Sequence, residues 1–215
     1  MKMILKHPEL QTFNDIFIAG IEGRRFDVVI KDGRFSSITE AEPHQVESNL
    51  AGTDLWLSPG IIDLHTHLAW TDFDHSDQLK RDANQIEIMQ AQAFEATLRT
   101  GVTTARDAGG ILPSTVQHLV QQYQHPLRVQ ASSDMIGAAD ARGLKHLEQR
   151  MAEIFATGAG WIKIMATGGL GAPTEKVVDP IFSEEEFAFI VRNAHAHDKK
   201  VLVHTWGGVT IDWSI

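Results

Sequence analysis

The sequence predicts an α/β protein, in which a small β-rich domain over residues 1–57 precedes an incomplete (β/α)8 TIM barrel over residues 58–215. Two observations predict it. Short apolar segments alternate with helical segments from residue 60 onward, which is typical of parallel βα units. Histidines stand at the ends of two of these apolar segments, and barrels of this kind build their sites at the strand C-termini. About five units fit into the chain, whereas a whole barrel takes roughly 250 residues.

The N-terminal domain is predicted from a β-hairpin. Phe26–Ile30 and Arg34–Ile38 flank Asp32-Gly33, and Asp-Gly between two β-rich segments is a strong signal for a tight turn. A polar linker over residues 40–49 then leads to one more short strand at Leu55–Leu57. We expect a small sheet domain here, and the family resemblance given below implies that it forms part of a composite β-sandwich.

The barrel units are predicted from apolar strands and from helix-end signals. Gly101 and Gly158 follow two helices, and Ser183–Glu186 is a capping box that opens another. The predicted strands cover residues 61–65, 102–106, 127–131, 161–165 and 201–204. The predicted helices cover residues 80–100, 113–124, 144–157 and 183–197. An open doubly wound sheet is the competing fold, but no Gly-x-Gly-x-x-Gly follows the first strand.

Composition restricts the partners. A formal net charge of -9 and the lack of a basic cluster argue against nucleic acid, because phosphate binding needs a basic face. No apolar run approaches the length of a membrane span, and the N-terminus lacks the apolar segment of a signal peptide. The absence of cysteine excludes disulfides and thiolate metal sites. We therefore expect a cytoplasmic protein that binds neither membranes nor nucleic acid.

His65 and His67 end the first barrel strand. Side chains alternate between the faces of a strand, so these two imidazoles point the same way, as two ligands of one metal ion would. The apolar residues 61–64 predict a strand that is buried on both faces. A bare His-x-His at a strand end is nevertheless more often a pair of ordinary histidines than a metal site.

Lys163 lies between Ile162 and Ile164 in a strand that parallel packing would bury. Burial of an ammonium is costly, so the amine should be neutral, paired or modified. A neutral lysine can react with carbon dioxide to form a carbamate, an anionic ligand that can bridge two cations. The alternative is a lysine whose amine reaches the strand end and pairs with a carboxylate.

His204 ends the fifth strand, at the same end of the barrel as His65 and His67. A lone histidine in such a place is more often a satisfied core residue than a ligand. If the three imidazoles converge with a modified Lys163, they suit a pair of borderline divalent cations such as zinc.

A second His-x-His, at His195 and His197, is not expected to bind a metal ion. These residues lie in a predicted helix, where positions two apart diverge by about 200°. The remaining histidines are interpreted as surface or helix-packing residues: His7, His44, His75, His118, His125 and His146.

Two loops and one aromatic residue could also belong to the site. Gly168–Thr174 reads either as a lid or as a long connection, and Asp107–Gly110 could contact substrate or the groups behind the ligands. Trp206 could form a pocket wall or pack in the interior. The sequence leaves these alternatives open.

Four segments in order carry a resemblance to a known family: Pro59–His67, Gly101–Gly110, Ile162–Gly169 and Phe182–His204. Together they resemble motifs of the amidohydrolase superfamily, specifically its imidazolonepropionase-like branch of metal-dependent peptidases and amidases, often labelled Xaa-Pro dipeptidases. The similarity runs from about residue 13 to the end of the chain. Four motifs in order are far more specific than any one of them.

The resemblance implies a role for each candidate residue. His65 and His67 would hold the more buried of two divalent metal ions, such as zinc, Lys163 would bridge the pair as a carbamate, and His204 would bind the second ion. A bridging hydroxide would attack an amide carbonyl. The implied substrate is a dipeptide-like small molecule or an N-acyl amino acid.

The family also needs a histidine on the sixth strand and a proton-shuttling aspartate on the eighth, both beyond Ile215. We therefore expect the chain to be the N-terminal part of such a hydrolase, truncated after the fifth strand and inactive alone. One alternative is a non-catalytic fragment that pairs with another chain, including a homo-oligomer. Another is a cyclic-amide hydrolase or deaminase of the same superfamily; the Lys163 segment favours the dipeptidase-like branch, because the mononuclear deaminases lack that lysine.

Overall fold

A computed structural model describes residues 9–42, 55–72, 75–78, 80–169 and 176–215. The chain divides into two compact units, Met1–Gly60 and Ile61–Ile215, whereas the sequence placed the boundary after residue 57. Most of the predicted linker and the later part of the glycine-rich loop lie outside the described residues.

The N-terminal unit contains one four-stranded sheet. Its strands are β1 (Leu10–Ile18), β2 (Arg25–Lys31), β3 (Arg34–Glu40) and β4 (Trp56–Leu57). Their spatial order is β3-β2-β1-β4, with β4 parallel to β1 and the other pairs antiparallel. Asp32 and Gly33 both have positive φ, 51° and 72°, which the tight hairpin turn between β2 and β3 requires. The predicted hairpin is therefore present, while the composite sandwich stays a prediction.

The second unit contains two three-stranded parallel sheets. One sheet has the order β5-β6-β7 and the other β8-β9-β10. The strands are β5 (Ile61–Thr66), β6 (Val102–Asp107), β7 (Arg128–Ala131), β8 (Met135–Ile136), β9 (Ile162–Met165) and β10 (Val201–His204). The helices are α1 (His75–Gln78), α2 (Ala83–Arg99), α3 (Pro113–Tyr123), α4 (Leu144–Ala156), α5 (Glu184–Ala196) and α6 (Val209–Ser214), with a 3₁₀ turn at Ala138–Asp140.

The third predicted strand differs from the expectation, because it continues as a second short strand. β7 pairs with β6, whereas β8 pairs with β9. Between them Ser133 has a left-handed φ of 63°, and its carbonyl accepts the Gly110 N–H at 2.8 Å. The backbone therefore turns at Ser133 and carries the chain from one sheet to the other.

Helices α4 and α5 bury one sheet, and α2 and α3 bury the other. The first core contains Ile136, Leu147, Met151, Ile162, Ile164, Phe187 and Ile190. The second contains Leu68, Phe94, Val102, Ala105, Leu119 and Leu127. The predicted capping box is formed, since the Ser183 hydroxyl accepts the N–H of Glu186. In the described part of the chain, no helix combines the length and apolar character that a membrane span needs.

The expectation that β5 is buried on both faces is wrong for this chain. Ile61, Ile62 and Leu64 are 55%, 62% and 56% exposed. An apolar strand is buried only where neighbours flank it and helices cover it, and within the described residues β5 pairs with β6 alone. Its side chains therefore form an exposed apolar edge.

Candidate metal centre

The predicted ligands lie in three strands or directly after one of them. His65 is in β5, with His67 one residue after it, Lys163 is in β9, and His204 is the last residue of β10. Lys163 pairs in register with Leu202 on the neighbouring parallel strand. Since side chains alternate, His204, two residues after Leu202, points to the same side of the sheet as Lys163.

The charges of the other candidate ligands act on His65. The pKa of His65 is lowered, first by burial and then by the positive charges of Lys163, His67, His204 and Arg106. The ring centroids of His65 and His67 are 5.3 Å apart, and the rings are tilted by 55°. The structure thus brings ligands from all three strands within electrostatic reach of each other.

The His67 ring is held on one side by a backbone carbonyl. Its Nδ1 lies 3.1 Å from the oxygen of Gly109. A carbonyl oxygen only accepts, so Nδ1 carries the proton and donates it. Desolvation of the ring, and secondarily the charge of Lys163, lowers the pKa of His67 against the opposing effect of this hydrogen bond. The neutral ring therefore leaves Nε2 unprotonated, as a metal ligand requires.

Lys163 is the most buried of the candidate ligands. The residue is 1% exposed, and Nζ has no hydrogen-bond partner among the described residues. Burial alone lowers its pKa to about 8. The alternative in which the amine pairs with a carboxylate is not realised within the described part of the chain. The environment raises the fraction of neutral amine, which is the form that reacts with carbon dioxide.

His204 and Trp206 lie together after β10. Their ring centroids are 6.2 Å apart in an edge-to-face arrangement. Trp206 is exposed, and its backbone N–H donates to the Thr167 hydroxyl at 3.3 Å. The indole therefore borders the site on the His204 side, while its role as a pocket wall stays a prediction.

The donor set fits divalent cations in chemical type. Imidazole nitrogens suit zinc, and a lysine carbamate would add the anionic oxygen ligands that a pair of cations needs. Among the described residues, no three histidine, aspartate or glutamate side chains already form a group that could hold an ion. The residues that could bind cations are therefore His65, His67 and His204 through ring nitrogens, and Lys163 after reaction with carbon dioxide.

The second His-x-His lies away from this cluster, as helix geometry predicts. His195 is exposed on α5, and His197 caps that helix with its Nδ1 2.8 Å from the Asn193 carbonyl and its ring stacked on Phe155. Other histidines contact acidic residues of the helical layer: His118 with Glu87, His125 with Glu95 and His146 with Asp140. His7 and His44 lie outside the described residues.

Asp107 has a different role from the substrate contact that the sequence left open. Its carboxylate accepts the backbone N–H of Leu68 at 2.6 Å, of Gly109 at 3.0 Å and of Ile111 at 3.4 Å. Burial raises its pKa to about 6 although these hydrogen bonds oppose the shift. The carboxylate is therefore engaged with the loops behind the ligands.

Sequence reasoning missed Arg106. Its Nε donates to the Leu64 carbonyl at 2.8 Å, and its guanidinium lies 4.5 Å from the centroid of the Trp161 ring. The charge also reaches His65. The available signal was an arginine inside a predicted parallel strand, where a charged side chain needs a specific partner.

The glycine-rich loop is described only at its start. Gly168 donates its N–H to the Lys176 carbonyl at 3.1 Å. Residues 170–175, on which the predicted lid would depend, lie outside the described part of the chain, so the lid stays a prediction.

Comparison with known proteins finds a matching family and several similar solved structures. A model of the amidohydrolase family matches residues 56–212. Among solved structures, an amidohydrolase is 24% identical with a TM-score of 0.70, over 92% of this chain and 56% of that one. A Xaa-Pro dipeptidase with methionine bound in its active site is 18% identical with a TM-score of 0.68, over 94% and 57% of the two chains.

A putative prolidase from Bifidobacterium longum is 21% identical with a TM-score of 0.63, over 96% of this chain and 52% of that one. No curated protein sequence matches the chain. The chain spans little more than half the length of these solved structures. Because the family model covers most of the 215 residues, the chain belongs to the amidohydrolase family.

Proposed function

We propose that this chain supplies the N-terminal part of a binuclear metal hydrolase that cleaves the amide C–N bond of a dipeptide or an N-acyl amino acid. The single observation that carries the proposal is Lys163, a buried amine without a hydrogen-bond partner in the described residues, on the strand side that also presents His204. His65 and His67 are within electrostatic reach of both. Such a group suits a modified lysine between two cations.

In this proposal His65 and His67 would hold one divalent ion, His204 would hold the other, and the Lys163 carbamate would be a ligand to both, with zinc as the expected metal. When bound, such ions supply a lowered pKa for water and polarisation of the scissile carbonyl. Their chemistry depends on four side chains that this chain provides.

Lys163 acquires its ligand oxygens by a balanced reaction. The lone pair of the neutral amine forms a bond to the carbon of carbon dioxide, and one amine proton leaves to solvent. The product is an anionic carbamate. A pKa lowered to about 8 makes the required neutral amine roughly a tenth of the total at pH 7. His67 contributes a neutral ring whose proton is committed to Gly109.

The proposed substrate class rests on solved structures that are similar to this fold. One similar structure is a Xaa-Pro dipeptidase and another is a prolidase in complex with N-methylphosphonate-L-proline. We extend the dipeptide-like substrate to this protein as a proposal. We also propose a cytoplasmic location, with neither nucleic acid nor membrane as a partner, which the acidic charge and the lack of cysteine support.

The metal proposal is tested by elemental analysis of the purified protein after loading with zinc. About two ions per protein are expected, and Lys163→Ala should lose most of the second ion. Lys145→Ala, at an exposed position of α4, is the matched control and should keep both. An unchanged stoichiometry in Lys163→Ala would contradict the carbamate.

A second measurement separates carbamate from direct binding by the amine. Zinc binding by the wild-type protein should weaken in buffer depleted of carbon dioxide and recover on addition of bicarbonate, whereas Lys163→Ala should respond to neither. Equal zinc binding with and without bicarbonate would count against the modification.

The exposed edge at β5 favours a second proposal, that the protein acts only together with further polypeptide. Ile61, Ile62 and Leu64 are more than half exposed, and an uncovered strand edge invites pairing. Under this proposal the 215 residues alone show no amide hydrolysis and associate, either with themselves or with another chain. Sedimentation of the verified 215-residue chain as a stable compact monomer would contradict the association, and its steady release of amino acid from a dipeptide would contradict the inactivity.

A further inference from the structure

We propose that Asp107 is a positioning residue for the metal site, and that it acts through Gly109 to fix the tautomer and the direction of the His67 ring. The inference rests on the proposed function, in which His67 is a metal ligand. It adds a residue that neither the family match nor the four ligands explain.

Asp107 joins the two backbone positions that matter most to His67. One carboxylate oxygen accepts the N–H of Leu68, the residue directly after His67, at 2.6 Å. The other accepts the N–H of Gly109 at 3.0 Å. Gly109 is the residue whose carbonyl receives the Nδ1 proton of His67. A single buried carboxylate thus holds both the backbone next to the ligand and the carbonyl that orients its ring.

Three further hydrogen bonds hold the segment that contains Gly109. Ala108 donates its N–H to the Thr66 carbonyl at 2.6 Å, and Gly110 donates to the Ser133 carbonyl at 2.8 Å. The indole N–H of Trp161 donates to the Asp107 carbonyl at 3.2 Å. These bonds leave the Gly109 peptide little freedom to rotate, so its carbonyl keeps one direction.

Gly109 is the residue that this close packing demands. Its φ is +132°, a conformation that side-chain-bearing residues rarely adopt. A methyl group at this position would overlap Cγ of Met135 and lie 2.8 Å from its sulfur. Any larger residue must therefore displace either Met135 or the carbonyl that holds His67.

The chemistry explains why a carboxylate is needed. Asp107 faces three backbone N–H groups, so an ionised carboxylate satisfies them with acceptors alone. An asparagine would direct its amide N–H₂ at Leu68 or at Gly109, where one donor would oppose another. The isosteric Asp107→Asn change therefore releases one of the two loops without altering the size of the side chain.

The test measures the His67 tautomer directly, in the metal-free protein. With ¹⁵N-labelled histidine, long-range ¹H–¹⁵N spectra distinguish rings protonated on Nδ1 from rings protonated on Nε2, and His67→Gln identifies the signal. The expected wild-type result is a His67 ring held almost entirely as the Nδ1–H form. A wild-type His67 found mainly as the Nε2–H form would overturn the inference.

In Asp107→Asn and in Gly109→Ala, the Nδ1–H fraction of His67 should fall well below the wild-type value. Asp27→Asn is the matched control, since that carboxylate also accepts a backbone N–H, from Asp15 at 3.0 Å, but within the N-terminal unit. The control should leave the His67 signal unchanged. A folded Asp107→Asn protein with the wild-type tautomer would overturn the proposal. If Asp107→Asn does not fold, Asp107→Ser, which keeps one acceptor oxygen, is judged by the same criterion.

Zinc titration separates this inference from the proposed function. Loss of the groups that orient a metal-binding histidine weakens metal affinity by about 10–100-fold, which is the expected effect of Asp107→Asn on the apparent Kd. A tautomer that responds as expected, in a protein that binds no zinc in any variant, would support the positioning role and contradict the metal site. Zinc binding with full affinity in folded Asp107→Asn would count against the positioning role alone.

Discussion

Strands β5 and β9 both carry candidate ligands, yet their surroundings are opposite. β9 lies between β8 and β10, and its residues Ile162, Lys163 and Ile164 are buried. β5 pairs with β6 alone among the described strands. His65 and His67 are exposed, and so are the apolar residues Ile61, Ile62 and Leu64 of β5. The part of the candidate site around Lys163 is therefore buried, whereas the part around His65 and His67 is exposed to solvent.

The contrast indicates two ways of holding a ligand. Lys163 is placed by the packing of a core, so its position follows from the stability of the second unit. His67 is placed by hydrogen bonds to the end of β6 and the segment after it, chiefly through Gly109 and Asp107. An exposed strand can therefore still present an oriented ligand, provided that a local network takes over from packing.

The largest expected effect compares two isoleucines. Ile164→Ala in β9 should lower the free energy of unfolding by about 2–5 kcal/mol, because the side chain is fully buried and leaves a cavity. Ile62→Ala in β5 should change it by about 0.5 kcal/mol or less, because the side chain is exposed. Urea unfolding measures both. Equal losses would show that β5 is covered in solution.

The second prediction concerns pH. Lys163 has a pKa of about 8 in the folded protein against 10.5 for the free side chain, so folding penalises its charged form by about 3 kcal/mol. The penalty is complete below pH 8, where Lys163 is protonated in both the folded and the unfolded protein. It disappears as the pH rises toward 10.5, because the folded protein then holds the neutral amine. Lys163→Met should therefore stabilise the metal-free protein by up to about 3 kcal/mol at pH 7 and by much less near pH 10.5.

This second prediction is checked by urea unfolding across that pH range in buffer without carbon dioxide. Lys145→Met, on the exposed face of α4, is the control and should show neither effect. A gain in stability from Lys163→Met that does not shrink above pH 8 would contradict a buried, titrating amine.

Hydrogen exchange should show the contrast without any mutation. Backbone amides of β9 should exchange at least about tenfold more slowly than those of β5, because β9 opens only with its core while an edge strand opens locally. Mass spectrometry of fragments covering Ile61–Thr66 and Ile162–Met165 gives both rates. Similar protection of the two strands would remove the distinction drawn between them.

The smallest expected effect uses one capping box from each half of the second unit. Asp82 caps α2 and Ser183 caps α5, each with its hydrogen bond to the N3 backbone. Replacement of either residue by alanine should cost about 1 kcal/mol. If the two sheets unfold together, both variants lower the same transition; separate transitions would show that the halves are independently stable.

Much of the fold was predictable because its signals are local. The Asp32-Gly33 turn, Pro113 at the start of α3 and the Ser183 capping box each specify their element through backbone conformations or hydrogen bonds that a few residues determine. The division of the third strand at Ser133 was not predictable, since it depends on a contact with the distant Gly110. The prediction that β5 is buried also failed, because the burial of a strand depends on the strands and helices that surround it.

The same distinction applies to the site. His65, Lys163 and His204 could be proposed as ligands because strand ends and an unfavourable buried charge can be read from the sequence. For Asp107 the sequence left open a contact with substrate or with the groups behind the ligands, because its partner Leu68 lies in another loop. Arg106 escaped attention because its partners, the Leu64 carbonyl and the Trp161 ring, are supplied by other strands.

Met135, in the second part of the divided third strand, contacts two parts of the candidate site. It pairs in register with Lys163, and its side chain fills the space beside Gly109. One thioether therefore separates the strand that carries the lysine from the loop that orients His67. A thioether is flexible and polarizable, so it can yield when the ring is drawn toward an ion and still fill the gap. Lys163 and the loop of Gly109 therefore meet at one flexible side chain, that of Met135.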